Sequence, residues 1–302
     1  MGIGALLDLA LGAVRRRAPS AGGEGEGHRS SAFPYRWLGS MLLLPLISLP
    51  GFLAWENVVR VDLSHAYGPR QGWEAFLAAN PPQGAIVVSN DRNEIMPLWY
   101  LQYVEGRRPD LTGVFPLLTP EPRFAHLGRV LEAALATGRP VLLPKAMPGL
   151  EVRFRVEEGR GFWLVTSPVE VPEEGLVPHG GVLGGRLALE GYLLQPAEGA
   201  PGSDLTVTLY WKPRAPLEGD YTTYVHLVNA AGERVLGSDH RPGGDYYPTS
   251  LWEPDDLLQD PHVLALPPDL PPGTYGLRAG AYRYPQMAEL GEPLWLGTVA
   301  VR

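Results

Sequence analysis

Cysteine is absent from the chain. Its absence excludes disulfide frameworks, thiolate-built zinc sites and cysteine nucleophiles. Basic charge is also in short supply: 25 Lys and Arg stand against 33 Asp and Glu, a formal net charge of -8. Phosphate backbones are bound by basic stripes, and none is visible, which argues against nucleic acid as a partner. Signature loops are missing too. No G-x-G-x-x-G or Walker-type loop follows any strand-like run, so a nucleotide is unsupported and no cofactor is expected. Neither a G-x-S-x-G elbow nor an H-E-x-x-H pair occurs, which ranks a hydrolase last among the functions considered.

What is present is glycine and proline. The 37 Gly and 32 Pro approach a quarter of the 302 residues without a repeating period. That composition favours short strands, tight turns and linkers over collagen or disorder. The length suffices for two domains of ordinary size.

Residues 37–55 (WLGSMLLLPLISLPGFLAW) carry no charge. At about 1.5 Å rise per residue they match roughly the thickness of a hydrocarbon core, and the reading is one transmembrane helix. Tyr35, Trp37 and Trp55 place aromatic rings at its two ends, and Arg36 caps the near one. Pro45 and Pro50 are awkward in a water-surrounded helix, which supports the same reading. Arg15, Arg16, Arg17, Arg29 and Arg36 precede the run, whereas only Arg60 and Arg70 follow closely. The positive-inside tendency then expects a single-pass protein of the cell membrane, with a cytoplasmic N-terminus and extracytoplasmic domains after Glu56. Within residues 1–36, the apolar stretch 3–14 reads as a surface helix or as the tail of an earlier span, and 18–31 as a flexible linker.

Two outer domains are expected. In residues 58–168 short apolar strands alternate with helical periods, giving a small parallel α/β domain of βαβαβ order closed by a hairpin. The strands are expected at 85–89, 111–115 and 141–143, and the hairpin at 152–156 and 162–166. Ligands of such folds gather at the carboxyl ends of parallel strands, which draws attention to Ser89 and to Asn90, Asp91 and Arg92. A solvated turn with a helix N-cap explains the same run more simply. In residues 177–302 the pattern changes to strands alone, at 186–194, 204–211, 222–229, 262–266, 273–282 and 294–301, an antiparallel β-sandwich. Leu205, Val207, Leu209 and Trp211 share one face in a period of two. Asp239, His240 and Asp245, beside Tyr246, Tyr247 and Trp252, are candidates for a metal or a sugar, although their spacing matches no ligand motif. His226 reads as a packed histidine.

Two stretches carry a resemblance. Residues 96–110 (MPLWYLQYVEGRRPD), after the strand Ile86, Val87, Val88, resemble the outer region of bacterial multispan proteins related to protein O-mannosyltransferases and bearing a domain of unknown function. Residues 251–254 (LWEP), through Leu266 and Pro267 to 271–275 (PPGTY), resemble the terminal β-sandwich of bacterial membrane glycosyltransferases of that broad class. The resemblance implies sugar transfer from a lipid phosphate carrier. It also implies many spans and an acidic first outer loop, which this chain lacks, so no catalytic residue is carried over. The resulting expectation is a non-catalytic outer module of a glycosyltransferase system, a fragment or an accessory. Its expected partners are the lipid bilayer, a glycan or polyprenyl-phosphate sugar, and a multispan membrane protein. The alternative is a stand-alone cell-surface carbohydrate-binding or structural protein.

Overall fold

The computed structural model describes residues 35–62, 68–254 and 256–302, with side chains from residue 48 onward. Two units emerge, Met1–His65 and Ala66–Arg302. The stretches 3–14 and 18–31 lie outside the described residues.

Of the first unit, helix α1 (Tyr35–Val61) is described. It corrects the membrane reading: among the described residues no helix is long and apolar enough to cross a membrane. The helix does not stop where the apolar run stops at Trp55. It continues through Glu56, Asn57 and Arg60, and charged residues within a span cost about 2.5–3.5 kcal/mol each near its centre. Without a span, the arginine asymmetry has nothing to orient. The expected single-pass topology and the placing of residues on either side of a cell membrane are therefore withdrawn.

The expected fold class is corrected at the same point: among the described residues no helix can cross a membrane, and the fold is mostly β, with antiparallel pairing predominating. Four α-helices accompany fifteen strands among the described residues. Parallel pairing is confined to β1 (Ile86–Val88) with β2 (Thr112–Val114) and with β3 (Val141–Leu143). The sheet they form is mixed, because β4 (Phe154–Glu158) and β5 (Trp163–Pro168) join it antiparallel, in the order β2-β1-β3-β5-β4. Both faces of β1 are covered, as a continuous apolar run requires. Ile86 and Val88 pack in one cluster with Val130 and Leu131 of α4 (Leu127–Leu135). Val87, on the opposite face, packs with Trp73 and Phe76 of α2 (Gly68–Ala78) and with Ile95 and Leu98 of α3 (Arg92–Tyr103). The order 2-1-3 makes the neighbouring carboxyl ends of β1 and β3 a topological switch point.

The β-sandwich consists of two antiparallel sheets. One has the order β12 (Leu258–Ala265), β9 (Asp204–Pro213), β8 (Leu187–Gln195), β6 (Val177–Pro178), with β7 (Val182–Leu183) also on β8; the other has β11 (Arg234–His240), β10 (Thr222–Val228), β13 (Gly273–Arg283), β14 (Ala288–Glu289), with β15 (Leu294–Val301) on β13. Between them the core is built by alternation. Leu205, Val207, Leu209 and Trp211 of β9 (Asp204–Pro213) are fully buried, as are Val225 and Leu227 of β10 (Thr222–Val228) and Ala279 and Ala281 of β13 (Gly273–Arg283). The edge of β15 (Leu294–Val301) is covered by a strap at Gly199. Gly199 donates to the carbonyl of Ala300 at 2.8 Å and accepts from the amide of Arg302 at 2.9 Å.

The mixed sheet and the sandwich share one core. Tyr247 is buried against Phe154 and lies so close to Gly128 that a Cβ there would come within 2.3 Å of its ring. Its hydroxyl donates to Asp256 at 2.9 Å, and Asp256 also faces Arg153 at 3.2 Å. His126 and Arg129 of the helical side both reach Glu253. Gly149, at φ +100°, lets the backbone pass against Gly243, whose carbonyl oxygen would lie 2.1 Å from any Cβ at 149.

Candidate functional site

At the carboxyl ends of β1 and β3, the residues singled out from sequence separate into structural and cavity-facing groups. Asp91 is the N-cap of α3 and accepts from the amide of Asn93 at 2.8 Å. Asn90 and Arg92 are exposed. One turn further on, Glu94 bonds both Ser89 and Lys145, the latter at 2.6 Å. Burial works against the Lys145 charge, but the hydrogen bond to Glu94 outweighs it and raises the pKa. Glu94 and Lys145 line a cavity of about 370 Å³ walled by Trp73, Phe76 and Pro97. Glu94 and Lys145 are mutually neutralised there, which leaves little net charge with which to grip a charged ligand.

In the sandwich, the run from Asp239 to Trp252 is dispersed. Tyr247 and Trp252 are each 1% exposed, so neither ring face is open to a sugar. The Trp252 indole donates to the carbonyl of Tyr247 at 3.1 Å. Tyr246 is half-buried beneath Lys145, and Asp245 is an exposed loop carboxylate near Arg241. Asp239 and His240 lie in a strand, β11 (Arg234–His240), and their side chains leave opposite faces of it. His240 bonds Asp260, whereas Asp239 bonds His226 at 3.1 Å and Arg234 at 2.9 Å.

The outer face of the second sheet carries a regular row of side chains, of which Tyr224 and Val228 are buried. Alternation sends Tyr224, His226 and Val228 of β10, and Gly276, Arg278, Gly280 and Tyr282 of β13, to this side. Tyr224 stacks on His226 with ring centroids 4.1 Å apart. Burial raises the Tyr224 pKa, helped by the Glu289 carboxylate that its hydroxyl faces. Burial also lowers the pKa of His226, with Arg234 adding to the effect.

Beside this row the sheet opens into a groove of about 540 Å³, walled by Trp295 and by the hairpin from Asn229 to Gly232. Trp295 is 51% exposed. Its indole lies directly over Gly276, where a Cβ would come within 2.1 Å of the ring. The Arg278 guanidinium sits 5.9 Å from the indole centroid, and Thr274 and Thr298 supply hydroxyls. The hairpin is held by Asn229, whose side-chain oxygen accepts from the amides of Ala231 and Glu233 at 2.9 and 3.0 Å.

Sequence reasoning placed the strands of Trp295 and Arg278 but did not single out either residue. The available signal was a tryptophan at an outward position, opposite a glycine-rich neighbouring strand. Pro261 hides the start of the strand that carries Asp260, and His262, within the expected strand 262–266, was not singled out, although Leu258, Asp260, His262 and Leu264 keep a period of two.

No protein-family model matches the chain, and no curated protein does. Among solved structures, the C-terminal domain of wzt aligns over 44% of this chain and 80% of its own, at 16% identity and a TM-score of 0.30. A Niemann-Pick type C2 protein from Japanese carpenter ant aligns over 35% and 79%, at 8% identity and a TM-score of 0.23. Similarity at this level carries no argument about fold or function.

Proposed function

We propose that the sandwich binds a carbohydrate chain in the groove between Trp295 and the Asn229 hairpin. The observation that carries the reading is a half-exposed tryptophan seated on a glycine backbone and ringed by Arg278, Thr274 and Thr298. An aromatic ring gives the apolar C–H face of a sugar a flat partner, while guanidinium and hydroxyl groups match its hydroxyls. The groove is open and largely uncharged, which suits a neutral glycan better than a compact anion. In the wider setting suggested by the sequence resemblance, such a module would present a glycan to a separate multispan glycosyltransferase and transfer no sugar itself.

The test is a panel of immobilised bacterial polysaccharides, followed by titration of any that bind. Trp295→Ala is expected to weaken binding about tenfold or more, the loss of roughly 1.4 kcal/mol at a contact centre. Failure of the whole panel, or undiminished binding by the variant, would overturn the reading.

A further inference from the structure

His240, Asp260 and His262 offer three ligand atoms that all lie within 4.8 Å of one another. They come from β11 and β12 (Leu258–Ala265), edge strands of opposite sheets, so the cluster bridges the two layers of the sandwich. Asp260 and His262 are fully buried. His240 is partly exposed, and His240 and Asp260 line a cavity of about 310 Å³ through which solvent reaches the cluster.

Hydrogen-bond accounting makes the arrangement informative. Nδ1 of His262 lies 2.9 Å from the carbonyl oxygen of Ser238, which can only accept, so this nitrogen carries a proton. The other nitrogen, Nε2, lies 3.1 Å from Oδ2 of Asp260. A neutral imidazole would therefore aim a lone pair at a buried carboxylate. Two acceptors in contact away from water need a cation between them, either a second proton on Nε2 or a metal ion. On the other side, Oδ1 of Asp260 lies 2.8 Å from Nε2 of His240, and the two imidazole rings are 4.4 Å apart. The Trp211 indole donates to Oδ2 at 3.1 Å and fixes the carboxylate from behind. A metal-bound histidine almost always donates its second ring N–H to a carbonyl or carboxylate, as His262 does to Ser238.

We propose that His240, Asp260 and His262 form a binding site for a divalent first-row metal, Zn²⁺ being the ion their donor set fits. Two imidazoles and one carboxylate are a zinc donor set, and bonds of about 2.0–2.1 Å put tetrahedral ligand atoms roughly 3.4 Å apart. His240 meets one carboxylate oxygen of Asp260 and His262 the other, and all three ligand atoms lie within 4.8 Å, so the side chains converge on one ion by modest rotation. A metal held there ties the edge strands of the two sheets together. It therefore stabilises the sandwich in proportion to its own binding.

The experiment uses the full chain, stripped with chelator and titrated with ZnCl₂ by calorimetry and with CoCl₂ by visible absorption. Expected are one ion per chain, the intense visible bands of four- or five-coordinate cobalt, and a melting temperature several degrees higher at about a hundredfold excess over Kd. His240→Ala, at a partly exposed position that leaves the core intact, is expected to weaken binding at least about tenfold. Long-range proton–nitrogen NMR of the histidines provides a readout independent of the variant, because zinc replaces any proton on His262 Nε2. Three results would overturn the site: no binding by the wild type, equal binding by His240→Ala, or a His262 ring that stays doubly protonated in excess zinc.

Discussion

Asp91 shows what a single residue does in two competing readings. As the N-cap of α3 it satisfies the Asn93 amide, and loss of such a cap costs about 1 kcal/mol, whereas asparagine caps nearly as well. Asp91→Ala is therefore expected to lower the unfolding free energy from urea titration by about 1 kcal/mol while Asp91→Asn leaves it close to wild type. An equal loss in both variants would mean that the charge matters beyond the cap. His126 gives a second prediction at this scale. Burial, aided by the Arg129 guanidinium, lowers its pKa from the ordinary 6.5, so the folded state prefers the neutral ring. A lowered histidine pKa contributes stability that is present above about pH 6.5 and lost as pH falls through the folded value, since the unfolded chain takes up the proton first. His126→Gln is expected to flatten the decline in unfolding free energy between about pH 7 and about pH 5, followed by urea titration. An unchanged slope would place the pH dependence elsewhere.

Strand β13 explains why the outer face of the second sheet is flat enough to hold rings. Its outward positions alternate between Gly276, Arg278, Gly280 and Tyr282, and the two glycines lie beneath Trp295 and Tyr224. A Cβ at 280 would come within 2.3 Å of the Tyr224 hydroxyl. Gly280→Ala is accordingly expected to destabilise by about 1–3 kcal/mol, the usual penalty of overpacking, measured as a lowered melting temperature. No change in melting temperature would show that Tyr224 swings away freely. Element by element, legibility in the sequence followed the strength of the alternation. In β10 the face of Tyr224, His226 and Val228 stood out, yet the core side is Val225 and Leu227; the buried face of β9 could be read from Leu205, Val207, Leu209 and Trp211. β11 could not, because Gly237, Ser238 and Asp239 have little strand preference and the strand lies at a sheet edge. The start of β12 was hidden by Pro261, which is tolerated there because β12 is also an edge strand. Residues 122–137 form a 3₁₀ turn (Pro122–Phe124) followed by α4, with Gly138 at φ +70° beyond its end. The membrane reading failed differently. Hydropathy registers where an apolar run stops, but not that its helix continues into charged residues.

Across the whole molecule, the shared core around Tyr247, Arg153 and Asp256 makes residues 68–302 a single folding unit. Arg153 is 12% exposed and faces both Glu132 and Asp256. Removing it strands acidic groups in the interior, and breaking a buried pair costs about 3–5 kcal/mol. Arg153→Ala is expected to lower stability by about that much while unfolding stays one transition by both tryptophan fluorescence and circular dichroism. Two separated transitions, in variant or wild type, would show that the mixed sheet and the sandwich melt independently.

The strap at Gly199 bears on how this surface meets other molecules. An uncovered β15 would present free amides and carbonyls along the rim of the sheet, a template on which any extended chain can add a strand. With Gly199 bonded to Ala300 and Arg302, that template is closed at the end of the strand. Copies crowded together then have less opportunity to polymerise edge to edge, so the exposed Trp295, on the same strand, does not sit beside an open backbone template.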